Sequence, residues 1–142
     1  MATPNPNVDK LSHAYEIWRQ TRGRSIETWV ALASPDIVIR SGADQHAEGH
    51  FGAVPAGHDG LRRYLSDLLA SWIMEDHEVQ RYIAHGDDVA VVIAAIWRNR
   101  VTNKRVACPV VDVWTFRHGL ATSVLEVFDT AALVQAATPD AA

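Results

Sequence analysis

Apolar positions recur every three or four residues in the first half of the chain and every second residue through most of the second half. Leu11, Ala14, Tyr15 and Trp18 fall at i, i+3, i+4 and i+7, which places them on one face of a first helix. Asp9 stands where a cap belongs, Gly23 ends the helix, and residues 1 to 9 read as a flexible tail. Ile26, Trp29, Val30 and Ala33 repeat the spacing in a short second helix with Ser25 as its cap and Pro35 as its stop. After a short strand, Ile37 to Ile39, comes a Gly-, Ala- and His-rich stretch from Ser41 to His58 that reads as a long loop. The third helix carries Leu61, Tyr64, Leu65, Leu68, Leu69 and Trp72 as one broad apolar stripe.

The period then drops to two, predicting strands at 76–85, 89–99, 105–116 and 120–129. His85-Gly86-Asp87-Asp88, Thr102-Asn103-Lys104 and Arg117-His118-Gly119 supply hairpin turns between them. Helices first and strands afterwards imply an α+β fold in which three N-terminal helices cover the concave face of a curved antiparallel sheet. At 142 residues the chain holds one core, here assigned to residues 10–137 with a tail at 138–142.

Composition narrows the function. A hydrophobic fraction of 48% with 21% charged residues belongs to a globular protein, and the longest apolar run, Val89 to Trp97, is far short of the roughly 20 residues of a membrane helix. The N-terminus has no secretory pattern, so a cytoplasmic protein is expected. A formal charge of −4 gives no attraction to nucleic acid or anionic lipid. The lone Cys108 makes no internal disulfide and reads as a buried hydrophobe. No phosphate-binding glycine loop and no Gly-x-Ser-x-Gly elbow occurs, and no cofactor is expected.

One residue breaks the pattern. Asp112 sits in the middle of Val110-Val111-Asp112-Val113-Trp114-Thr115-Phe116, although Asp is depleted in strands and costly to bury. Alternation puts it on one face with Val110, Trp114 and Phe116. A three-residue turn at 117–119 pairs Phe116 with Leu120 and sets Asp112 opposite Val124, leaving Glu126 diagonal to it at roughly 7 to 8 Å between backbones. Two acids on an apolar wall hold a proton more tightly, so one donates a hydrogen bond while the other accepts a proton. The alternative is a structural acid satisfied by a backbone amide or by Arg98. Tyr15, on the apolar face of the first helix, lends a phenol to the same hollow or packs in the core with its hydroxyl at the rim. His46 and His50 flank Glu48 at ligand spacing, but Gly49 and Gly52 argue for loop, and no metal is expected. The five tryptophans fall on apolar stripes. Trp18, Trp97 and Trp114, with Val124, Phe128 and His50 from the covering loop, are the candidate ligand contacts.

Ala14-Tyr15-Glu16-Ile17-Trp18, Gly57-His58-Asp59-Gly60-Leu61 and Val113-Trp114-Thr115-Phe116-Arg117-His118-Gly119 with Glu126-Val127-Phe128-Asp129 together resemble the SnoaL-like branch of the nuclear transport factor 2-like superfamily. That branch stands beside the ketosteroid isomerases, and the resemblance covers about residues 11 to 137. It implies a cone of bent sheet closed by helices around an apolar cavity, often dimeric. It also implies that Asp112 matches the protonated Asp of the isomerases and that Tyr15 matches their hydrogen-bonding tyrosine. Their proton-shuttling Asp would fall near Arg40 or Ser41, neither of which is a carboxylate.

The leading expectation is an acid/base enzyme of the cyclase, isomerase or dehydratase type acting on a small apolar, enolisable carbonyl compound, with Asp112, Tyr15 and Glu126 as its catalytic set. A non-catalytic binding protein for a hydrophobic ligand, or a dimerisation module, is the alternative. Val111, Val113, Leu125 and Val127 form an aliphatic outer face through which a homodimer is expected.

Overall fold

The computed structural model describes residues 4–41 and 56–141. Its elements run α1 (Pro6–Gln20), α2 (Ile26–Leu32), β1 (Ala33–Ser41), α3 (Gly57–Ser71), β2 (Trp72–His85), β3 (Asp88–Asn99), β4 (Arg105–Arg117), β5 (Leu120–Phe128) and α4 (Thr130–Ala137). The strands form one curved sheet in the order β1-β5-β4-β3-β2. β2 to β5 make the expected antiparallel meander. β1 joins it in parallel beside β5, because the chain returns to that edge only after crossing through α3 and three strands. The sheet is therefore antiparallel except at this edge, and it stays open as a cone.

Several boundaries differ from the periodicity for local reasons. Asn5, not Asp9, caps α1: its side chain accepts from the amides of Asn7 and Val8 at 3.0 and 3.3 Å, and Pro6 follows at the first helical position. Ser25 precedes α2 without making a side-chain cap bond. Ala33 opens β1 instead of closing α2, and Pro35 lies inside that strand, at an irregularity between residues 33 and 38. Trp72 belongs to β2, not to the stripe of α3. A fourth helix, α4, is added to the three expected; Asp129 caps it, accepting from the Ala132 amide at 3.0 Å.

The alternation along β3 and β4 is regular, and it decides where the core lies. Val89, Val91, Ile93, Ala95 and Trp97 of β3 are buried, as are Cys108, Val110, Asp112, Trp114 and Phe116 of β4. Against this wall lie Leu11, Tyr15 and Trp18 of α1, Trp29 of α2 and Leu61 of α3. Asp112 is thus carried into the core by the same period of two that buries its neighbours.

Candidate functional site

The last hairpin sets the geometry around Asp112. Its loop is two residues, His118 and Gly119, both in the left-handed region at φ of 53° and 80°. Arg117 therefore pairs with Leu120, and a bulge at Thr115/Phe116 shifts the ladder before it continues. The register differs from the sequence reading as a result. Asp112 faces Glu126 directly, Val124 faces Trp114, and Phe128 faces Val110. A directly opposed pair has its side chains about 5 Å apart at the base, closer than a diagonal pair.

Asp112 is 4% exposed. The Tyr15 hydroxyl donates to its Oδ2 at 2.5 Å, and the Trp114 indole N–H donates to the Tyr15 oxygen at 2.9 Å. No donor among the described residues reaches Asp112 Oδ1, which is fully enclosed. Arg98, weighed above as a partner, instead bonds Glu75 and Asn103. Glu126 is half-buried, and its Oε1 accepts from the Tyr64 hydroxyl of α3 at 2.7 Å. Burial first, then the charge of Glu126 and a hydrogen bond with its carboxyl, push Asp112 well above the usual carboxylate range, while the Tyr15 bond opposes them. Two carboxyls have no donor to share unless one carries a proton, so a proton between them is what satisfies Oδ1. Burial, followed by the charge of the neighbouring acid, likewise raises the Tyr15 and Tyr64 phenols well above their ordinary value.

The remaining candidates divide. Trp114 is in the hydrogen-bonded group and stacks on Trp29 with ring centroids 5.5 Å apart, at 8°. Trp18 packs edge-on against Trp29 at 6.0 Å, one ring further from the acid. Trp97 meets His77 at 6.4 Å, Val124 is buried, and Phe128 is half-buried on the Glu126 face. His46 and His50 lie outside the described residues.

Three aromatic residues escaped the sequence reading. Tyr64 looked like part of a leucine stripe, yet a lone phenol in such a stripe was the available signal. Trp29 touches Tyr15 edge-on at 4.7 Å with its indole N–H unpaired among the described residues. His77 stacks on Tyr15 at 5.9 Å and 14°, and burial pushes it down to about 4, so it is neutral at physiological pH. The bulge at 74/76 in β2 turns His77 inward, where plain alternation from Trp72 and Met74 would have put Asp76. Tyr15 and His77 also form part of the wall of a cleft of about 240 Å³ between α1 and β2, shared with Ser12, Arg19, Arg81 and Tyr82; Asp112 is not part of that wall.

A family model for the SnoaL-like domain matches residues 12–124. The chain belongs to this family. Among solved structures, this SnoaL-like protein is similar to one named as a SnoaL-like polyketide cyclase from Jannaschia sp. CCS1, at 14% identity over 99% of each chain and a TM-score of 0.80. An NTF2-like protein of unknown function from Burkholderia pseudomallei K96243 is 19% identical over 95% of this chain and 99% of that one, with a TM-score of 0.78. TerC, co-crystallised with polyporic acid, is 23% identical over 94% and 98%, with a TM-score of 0.73. At these identities the likeness is one of fold. No curated protein matches the chain in sequence.

Proposed function

We propose that this SnoaL-like protein is a small-molecule acid/base enzyme of the isomerase, cyclase or dehydratase type, acting on an apolar, enolisable carbonyl compound without metal or organic cofactor. The observation that carries the reading is a buried carboxyl, Asp112, held by a tyrosine hydroxyl at 2.5 Å and set directly opposite a second acid. Glu126 accepts a proton from the carbon next to the substrate carbonyl, Asp112 donates its proton to the carbonyl oxygen, and the enol forms; Glu126 then returns a proton to carbon while the enol hydroxyl gives its proton back to Asp112, so that the carbonyl and both carboxyls are regenerated. Tyr15 fixes the Asp112 carboxyl in place. The co-crystal of TerC with polyporic acid is a precedent on this fold for a small organic ligand.

The test uses exchange of α-protons for solvent deuterium in an apolar cyclic ketone such as 1-tetralone, followed by NMR. Asp112→Asn is expected to slow the exchange at least about 100-fold, the ordinary contribution of a positioned acid. Full exchange in that variant would remove the reading.

A second reading, a binding protein that does no chemistry, is favoured by one observation: Arg40 and Ser41 close β1 with no carboxylate. Native mass spectrometry on protein from its own host separates the two, because a carrier releases its ligand unchanged.

A further inference from the structure

We propose that Tyr64 is a positioning residue of this site, its hydroxyl on Glu126 opposing that of Tyr15 on Asp112, so that the single proton of the acid pair resides on Asp112 and Glu126 is the acceptor. This rests on the acid/base reading above. Hydrogen bonds run without a break from Trp114 through Tyr15 to Asp112 Oδ2, and from Tyr64 to Glu126 Oε1 on the facing strand. The Trp114 N–H occupies the Tyr15 oxygen and turns that phenol's proton toward Asp112. A hydrogen bond from Ser41, the residue paired with Glu126 on β1, does the same for Tyr64. Each phenol therefore favours the ionised form of its own acid.

The two levers are unequal because their settings are. Asp112 is 4% exposed, whereas Glu126 is half-buried and keeps part of its hydration. Among the described residues, the groups facing the pair are few. α1 offers Tyr15, α3 offers Tyr64, and β1 offers Ser41, while Arg40 is exposed. β3 places Val91 opposite Asp112, α2 contributes Trp29, and β2 reaches Tyr15 through His77 and Tyr82. With no cation among these groups, the unequal burial of the two acids and the two opposed phenols set where the proton sits.

Carboxyl ¹³C NMR titration of the full-length chain reads this without a substrate. Tyr64→Phe is expected to lower the pH at which Asp112 Cγ titrates by about one unit, as the proton moves toward Glu126, and Tyr15→Phe to raise it by about as much. An unmoved Asp112 in Tyr64→Phe overturns the assignment. Should Tyr64→Phe fail to fold, Glu126→Gln keeps a partner for Tyr64 and removes the charge; Asp112 then titrates nearer the ordinary carboxylate range, and a failure to do so overturns the proposal. Loss of 1-tetralone exchange in Asp112→Asn beside an unmoved Tyr64→Phe titration leaves the enzyme reading standing and this one fallen. A moved titration with exchange intact does the reverse.

Discussion

The site is made of groups that are costly where they stand. Trp29 and His77 each enclose a polar atom with no hydrogen-bond partner among the described residues, and both residues touch Tyr15. An unpaired buried group costs on the order of 1–3 kcal/mol, so stability is given up around one phenol. His77 makes the consequence measurable. Its folded value of about 4 lies below the ordinary 6.5, so the unfolded chain binds a proton there first as pH falls. Its share of stability is whole above pH 6.5 and is lost between 6.5 and 4, about 3 kcal/mol in all. Urea unfolding at pH 7, 5.5 and 4 is expected to show His77→Phe losing less stability than wild type over that window. Equal losses would show that His77 is not the titrating group. Asp112, raised by burial, acts in the opposite sense, so the difference between the two proteins isolates the histidine. Asp112 was legible in the sequence as an acid inside an apolar strand. Tyr64 and His77 were not, because nothing local to a phenol in a leucine stripe or a histidine in a bulged strand says which acid or ring it meets.

Apart from the bulged β2, elements obeyed their periodicity in their middles and departed from it at their ends. β3, β4 and β5 start and stop within a residue of the alternation, since each is bounded by a turn whose residues have few other uses. The register of the last hairpin could not be read the same way. A two-residue loop and a three-residue loop fit the same Arg-His-Gly, and the bulge at Thr115/Phe116 is a property of the paired strands. The two-residue loop and that bulge each shift the pairing by one residue, and together they turned a diagonal Asp112–Glu126 relation into a direct one. The end of α1 is a second instance. The Gly23 amide reaches the Trp18 carbonyl at 2.9 Å and the Arg22 amide reaches Arg19 at 3.2 Å, closing the last turn with two left-handed residues. A Cβ on Gly23 would stand 2.6 Å from Leu69 Cδ2 of α3, at φ +87°. Gly23→Ala is expected to cost about 1–3 kcal/mol in chemical denaturation, from backbone strain and the forced shift of Leu69. No loss would mean that the helix end relaxes freely.

At the scale of the whole molecule, the outer face of the sheet carries an exposed aliphatic patch. Val111 pairs with Val127 and Val113 with Leu125, so four aliphatic side chains form one patch, with Leu125 39% and Val127 44% exposed. We propose that a second copy covers it by two-fold symmetry. Light scattering at micromolar concentration is expected to give a dimer mass and Leu125→Glu a monomer; a monomeric wild type would end the proposal. No helix among the described residues is long and apolar enough to cross a membrane.

By itself the sequence determined the α+β class, the meander, the inward face of β4 and the presence of an acid on it, because these follow from periods of 3.6 and 2 that any local stretch displays. Tertiary structure alone decided that β1 closes the edge beside β5, that Glu126 stands opposite Asp112, and that two tyrosines from separate helices each hold one acid. Those facts depend on contacts between residues up to 97 positions apart, and a hydrogen bond between distant side chains leaves no trace in the spacing of either partner.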